Sequence, residues 1–141
     1  MVENRSAIIK DAMDIKADYL FFVDSDMYFF SEALEQLMKH DKDIVGAAYN
    51  YRGLPLESTA KFEGEMPKEL FKVQALGAGM LLIKMPVLKK IPKPWFKNEY
   101  DENGRVKIGD DVWFCLQAAK AGIDVWCDPN TDVKHEGSYF Y

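Results

Sequence analysis

The chain has 141 residues, of which 48% are hydrophobic and 29% are charged, a composition typical of one globular domain with a substantial core. Its formal net charge is −5 and no stripe of lysine and arginine runs through it, which argues against nucleic-acid binding as its main task. No apolar run approaches the ~20 residues of a transmembrane helix, and the N-terminus lacks the basic-then-apolar pattern of a signal peptide. The two cysteines, Cys115 and Cys127, fall in a helical and a strand pattern, so we expect buried thiols and a cytoplasmic protein.

Helical and extended patterns alternate along the sequence. The predicted helices cover residues 4–16, 31–40 and 109–121, with a short helix that begins at Pro86. The predicted strands cover residues 19–23, 44–49, 71–84, 125–127 and 133–135, with a long loop at 50–68 and a polar, turn-rich flap at 97–108. This order predicts one α/β domain over residues 1–141, with a mixed sheet flanked by helices.

Two carboxylates, Asp24 and Asp26, follow the first predicted strand, Tyr19–Val23. This short, uncharged and aromatic-rich run is typical of a strand that is buried on both faces. Because side chains alternate along a strand, both carboxylates should point the same way, with their Cα atoms roughly 6.5 Å apart. That spacing lets two acids share one hydrated divalent cation. The alternative is a pair of surface aspartates that cap the turn into the next helix.

Two consecutive acids, Asp110 and Asp111, begin the last long predicted helix after Gly109. A carboxylate at a helix N-terminus is stabilised by the free N–H groups and by the helix dipole, so plain capping explains one of them. Two acids exceed what a cap requires. We therefore expect one to cap the helix while the other faces a cleft as a general base.

Two weaker signals accompany these acids. His135 ends the last predicted strand, where a lone histidine is more often structural, but a neutral imidazole near a carboxylate pair can serve as an additional metal ligand. Gly77 and Gly79 interrupt an apolar run, which indicates either a β-bulge or a close approach of the backbone to a ligand. No Gly-Lys-Ser/Thr follows them, so they are not a phosphate-binding loop.

In this order, four stretches of the sequence resemble the GT-A glycosyltransferases, specifically the family 2-like group. They are Ala17–Asp26, which ends in Asp-x-Asp; Ala75–Ile83, a glycine-broken strand; Gly109–Cys115, similar to a Gly-Glu-Asp-x-x-Phe-Cys helix start; and Asp128-Pro129 with Val133–Gly137. The resemblance implies a metal-dependent transfer of a sugar from a nucleotide-diphosphate sugar to an acceptor hydroxyl.

The resemblance also implies residue roles. Asp24, Asp26 and His135 would hold Mn²⁺ or Mg²⁺ on the diphosphate of the donor, with Asp24 near the ribose. Gly77 and Gly79 would lie beside the donor sugar. Asp111 matches the catalytic aspartate that deprotonates the acceptor in inverting members of the family, while Asp110 replaces the usual glutamate and is the second candidate for that base.

Complete members of this family carry further strands before the region that the chain matches. We therefore expect the chain to correspond to the C-terminal portion of a GT-A domain, N-terminally truncated. The exposed edge of its sheet would be covered by a second copy or by a partner chain. Two other functions stay open: a non-catalytic GT-A-like binding or assembly module, and a haloacid-dehalogenase-like Mg²⁺-dependent phosphatase, which also places Asp-x-Asp at a strand end.

Overall fold

A computed structural model describes residues 2–137 and contains four helices and nine strands within that range. The helices are α1 (Val2–Asp14), α2 (Ala33–Lys39), α3 (Met85–Leu88) and α4 (Asp110–Lys120). The strands are β1 (Tyr19–Val23), β2 (Met27–Phe29), β3 (Ile44–Ala47), β4 (Phe71–Val73), β5 (Met80–Lys84), β6 (Glu99–Tyr100), β7 (Val106–Ile108), β8 (Val125–Asp128) and β9 (Val133–His135). The predicted α/β class with a mixed sheet is confirmed.

Five strands form the central sheet in the order β1-β5-β3-β8-β4. The β3–β8 pair is parallel, whereas β1–β5, β3–β5 and β4–β8 are antiparallel. Two short antiparallel ribbons, β2–β9 and β6–β7, lie outside this sheet. The predicted strand region 71–84 is thus two strands, which pair at separate places in the sheet.

Helices pack on both faces of the sheet, and β5 presents apolar side chains to each face. Leu81 and Ile83 belong to the core cluster that contains Ile9 of α1 and Phe114 of α4. The alternate residues of β5, Met80 and Leu82, belong to a second cluster with Leu37 of α2. Alternation along a single buried strand therefore joins the two layers of helices. Strands β1 and β3 also contribute to both clusters, Phe22 and Ile44 to the first and Phe21 and Val45 to the second.

The strand that precedes Asp24 is an edge strand that is only partly buried. Phe22 packs into one core cluster and Phe21 against the other, so the prediction that the strand is buried on both faces holds for its middle but not for its ends. Tyr19 and Val23 are each 37% exposed, and only Phe22 of this strand is buried. Within residues 2–137, β1 pairs with β5 alone, which leaves its other edge without a strand partner. A partner chain or a second copy on that edge stays a prediction.

Local chemistry explains two other segments. Residues 97–108 contain the β6–β7 hairpin. In the turn of this hairpin, the side chain of Asp101 accepts hydrogen bonds from the backbone N–H groups of Asn103 at 2.8 Å and Arg105 at 2.9 Å. Gly122, with φ of 74°, ends α4, and the N–H of Ile123 reaches back to the carbonyl of Ala118.

Two predictions from composition can be checked in the fold. Cys115 and Cys127 are both buried and free, as predicted. Among the helices of residues 2–137, the longest has 13 residues, and none has the length and apolar character that crossing a membrane requires.

Candidate functional site

The two acids of the Asp-x-Asp segment lie on the turn between β1 and β2. β1 ends at Val23, and the N–H of Met27 donates to the carbonyl of Asp24 at 3.2 Å, so strand alternation does not set the directions of these side chains. The prediction of an extended pair is wrong for this reason. The N–H of Asp24 donates to the carbonyl of Gly79, just before β5, whereas the carbonyl of Asp26 accepts the N–H of Glu136, just after β9. The turn is therefore held at the start of β5 through Asp24 and at the end of β9 through Asp26.

Arg5 of α1 joins Asp24 to Asp110 of α4. Its NH1 donates to Asp110 Oδ2 at 2.6 Å, and its NH2 lies 3.2 Å from Asp24 Oδ1. The guanidinium carbon lies 6.0 Å and 5.6 Å from the ring centroids of Phe22 and Phe96, within the range of cation–π attraction. Burial alone would lower the pKa of Arg5, but its two carboxylate partners raise it above the ordinary value. Arg5 is thus a permanent cation inside the site.

Arg5 is not among the predicted site residues, although the sequence carries a signal for it. Arg5, Ile9 and Ala12 follow the spacing of one helix face, and all three are buried. An arginine on the apolar face of a helix needs a carboxylate partner within the fold, because a buried charge is costly when it is unpaired.

Helix α4 places its two acids differently. The Asp110 carboxylate is paired with Arg5, whereas Asp111 Oδ1 accepts the N–H of Val112 at 2.8 Å. Burial is the largest effect on Asp111 and raises the pKa of its carboxyl; the hydrogen bond from Val112 opposes this, and the charge of Asp110 adds to it. A carboxylate with a raised pKa is a better proton acceptor near neutral pH. Of the two predicted candidates, Asp111 therefore has the chemistry of a base, and its catalytic role stays a prediction.

The β2–β9 ribbon brings His135 to Asp26, because His135 pairs with Met27 in its register. His135 Nε2 lies 3.2 Å from Asp26 Oδ2, and Nδ1 lies 3.3 Å from the carbonyl oxygen of Asn50. The guanidinium of Arg52 contacts the same carboxylate oxygen. Two of the three predicted metal ligands are thus side by side, with a cation from a loop beside them.

The side chain of Tyr49 leaves no room for a Cβ atom at either of the two glycines before β5. A Cβ atom would lie 2.6 Å from the Tyr49 hydroxyl oxygen at Gly77 and 2.4 Å from it at Gly79, closer than packed atoms tolerate. The N–H of Gly79 donates to that hydroxyl at 2.8 Å, and the Tyr49 ring packs edge-on against His135 with centroids 5.5 Å apart. Packing of Tyr49 is a sufficient reason for both glycines. Contact of Gly77 and Gly79 with a ligand stays a prediction.

The site therefore has two halves at one end of the sheet. The first half joins Asp24 to Asp110 through Arg5, with Asp111 next along α4. The second half is the pair Asp26–His135. Over residues 2–137, no three His, Cys, Asp or Glu side chains are already grouped so that they could hold a metal ion.

A groove of about 380 Å³ opens beside the second half. Its lining combines apolar side chains with an amide, a hydroxyl and an amine. The lining residues are Ala48, Tyr49, Asn50, Leu56, Ser58, Met66, Pro129, Val133 and Lys134.

Two solved structures share this fold. A197 from STIV has a TM-score of 0.69 and 21% sequence identity, over 97% of this chain and 68% of A197. An apo-form UDP-glucose pyrophosphorylase has a TM-score of 0.52 and 10% identity, over 92% of this chain and 53% of the pyrophosphorylase chain. No protein-family model matches the sequence, and no curated protein matches it.

At these identities the likeness shows the fold alone. The chain spans about two thirds of A197 and about half of the pyrophosphorylase. It is an α/β protein with a five-stranded mixed sheet flanked by helices, and it shares this architecture with an enzyme of nucleotide-sugar metabolism.

Proposed function

We propose that the chain is a metal-dependent glycosyltransferase domain that transfers a sugar from a nucleotide-diphosphate sugar to an acceptor hydroxyl, with inversion. The observation that carries this proposal is the partly buried bridge from Asp24 through Arg5 to Asp110, which fixes the end of β1 against the start of α4. The acids that would face the donor and the acid that would act on the acceptor are thereby held at one end of the sheet. The likeness in fold to UDP-glucose pyrophosphorylase supports chemistry on nucleotide sugars.

Asp24, Asp26 and His135 would hold Mn²⁺ or Mg²⁺, and their donor atoms suit it. Carboxylate oxygens are preferred by both cations, and an imidazole nitrogen is accepted by Mn²⁺. The ring nitrogen Nδ1 of His135 lies beside the carbonyl of Asn50, the kind of second contact that orients a metal-binding imidazole. When bound, the cation would neutralise negative charge on the diphosphate leaving group.

Asp111 would take the proton from the acceptor hydroxyl. Its burial disfavours the charged form and so raises its affinity for a proton, while the carboxylate of Asp110 is engaged by Arg5. The groove beside Tyr49 and Asn50 offers room for part of a substrate at the Asp26–His135 half of the site. Gly77 and Gly79 would lie next to the donor sugar, as the family resemblance implies.

Thermal unfolding with Mn²⁺ and a panel of nucleotide sugars tests the donor half of this proposal. We expect a stabilisation by nucleoside diphosphates that requires Mn²⁺ and is lost in Asp26→Asn, which keeps the size of the side chain. Asp11→Asn, at an exposed position of α1, is the matched control and should leave the stabilisation unchanged. Absence of any stabilisation at millimolar ligand would refute the proposal for this chain.

Release of nucleoside diphosphate in the presence of acceptor sugars tests the catalytic half. Asp111→Asn should abolish transfer and retain binding of the donor, because it removes the base and leaves the metal ligands in place. Loss of donor binding in Asp111→Asn would contradict the assigned role.

A non-catalytic binding module is the second candidate, and one observation favours it. Both acids of the Asp-x-Asp segment already have arginine partners, Arg5 for Asp24 and Arg52 for Asp26. A domain of this kind would bind a nucleotide without Mn²⁺ and would transfer no sugar. The two measurements above separate it from the transferase.

A further inference from the structure

Loop 50–58 carries Arg52 into the site. The base of this loop is closed by the N–H of Tyr51, which donates to the carbonyl of Glu57 at 2.8 Å, and by the bridge between Asn50 and Ser58. Arg52 follows Tyr51 directly, so it lies just beyond the closed base of the loop. Its side chain is 53% exposed, whereas the side chain of Arg5 is 7% exposed.

Arg52 and a divalent cation would compete for one oxygen atom. The guanidinium contacts Asp26 Oδ2, the same oxygen that lies 3.2 Å from His135 Nε2. A cation bound directly between Asp26 Oδ2 and His135 Nε2 would lie at the oxygen that the guanidinium contacts. The two positive charges repel one another there, so binding of the cation favours the departure of Arg52.

We propose that Arg52 is a ligand-binding residue, which releases Asp26 when a divalent cation binds and then binds the phosphate oxygens of a diphosphate ester on that cation. This inference rests on the metal site of the proposed function. The planar guanidinium donates paired N–H groups to carboxylate and to phosphate in the same way, so the two partners are interchangeable.

Energetics and charge both favour this exchange. Arg52 is exposed and Asp26 is partly exposed, so water competes for their contact and the Arg52–Asp26 pair is easily broken. Once it is broken, a free guanidinium remains next to a divalent cation, and a diphosphate supplies the negative charge that both require. Arg5 cannot make this exchange, because it is buried between two carboxylates and two aromatic rings.

Calorimetric titration of the full chain with MnCl₂ alone, and then with UDP at constant Mn²⁺, tests the inference, and uridine serves as the ligand without phosphate. In Arg52→Gln we expect Mn²⁺ alone to bind about two- to fivefold more tightly, as loss of a competing surface ion pair allows. UDP should bind about tenfold more weakly than to the wild type, as for the loss of one charge-assisted contact. Arg52→Lys should lie between the two, and Arg105→Gln, an exposed arginine of the β6–β7 hairpin, should match the wild type.

Each outcome decides between the inference and the proposed function. If the wild type binds Mn²⁺ and UDP and Arg52→Gln binds both equally well, the inference is overturned and the proposed function stands. Weaker binding of Mn²⁺ alone by Arg52→Gln would also overturn it. If Arg52→Gln binds Mn²⁺ and the wild type does not, the inference is supported. If neither protein binds Mn²⁺, the inference and the proposed function are both overturned. An unchanged thermal unfolding profile would show that the variants retain the fold.

Discussion

Replacement of Arg5 by methionine removes the cation that joins α1, β1 and α4 and keeps most of the apolar length of the side chain. Removal of one partner of a buried ion pair costs about 3–5 kcal/mol. Asp110 is 16% exposed and Asp24 is 31% exposed, so Asp24 can recover part of its hydration. We therefore expect a loss of about 3 kcal/mol in the free energy of unfolding, at the lower end of that range, which corresponds to about 10 °C in Tm for a chain of this length.

Urea unfolding followed by circular dichroism measures this loss, with the midpoint and slope fitted together. Arg5→Lys keeps the charge but lacks the planar fork that reaches two carboxylates, so it should fall between the wild type and Arg5→Met. Arg105→Met is the matched control, because Arg105 is exposed, and it should change stability by less than about 0.5 kcal/mol.

A double-mutant cycle with Asp110→Asn isolates the bridge itself. If Arg5 and Asp110 stabilise one another, the loss in the double variant should be smaller than the sum of the two single losses by at least about 1 kcal/mol. Strict additivity, or a loss below about 1 kcal/mol in Arg5→Met, would refute the claim that this bridge fixes the end of β1 against the start of α4.

Three further predictions concern other buried groups. Asp111→Asn should raise the free energy of unfolding at pH 7 by about 0.5–2 kcal/mol in urea, because burial raises the pKa of Asp111 and its ionised form destabilises the fold. For Asp128, burial alone would raise the pKa of the carboxyl, but hydrogen bonds, first that from His40, lower it. The stability that this carboxylate contributes is therefore present above its unfolded pKa of about 3.9, and it is lost as the pH falls through the lower pKa of the folded state. Asp128→Asn should thus cost about 1–3 kcal/mol at pH 7 and flatten the acid side of a stability–pH curve. Gly79→Ala should cost about 1–3 kcal/mol because its Cβ would lie 2.4 Å from the Tyr49 hydroxyl oxygen, and Tyr49→Phe should restore part of the melting temperature.

Local patterns in the sequence predicted the elements around the site. The uncharged run before Asp24, the paired acids after Gly109 and the glycine after α4 each report on the conformation of neighbouring residues. These signals depend on side-chain periodicity and on helix termini, which act within a few positions along the chain. The strand at 19–23 and the helix that begins at the paired acids follow from them directly.

Contacts across the fold could not be predicted in the same way. Arg5 and Asp110 are 105 positions apart, and periodicity shows that Arg5 faces the core without showing which carboxylate it meets. The edge position of β1 depends on which strands pair, and a run of apolar residues does not encode pairing. The turn at Asp24–Asp26 was missed because strand alternation was extended beyond Val23, where the chain already turns.

The two arginines of the site have opposite consequences for how it can respond to a ligand. Arg5 is buried and shared by Asp24 and Asp110, so any change at Asp24 would also disturb the packing of α1 and α4. Arg52 is exposed on a loop and contacts Asp26, so it can change partner without a change in the core. The Asp24 half of the site is therefore preorganised by the fold, whereas the proposed cation or phosphate at the Asp26 half would have to displace only an exposed arginine. Of the two acids of the Asp-x-Asp segment, Asp26 is thus the one whose arginine partner can leave without a change in the core.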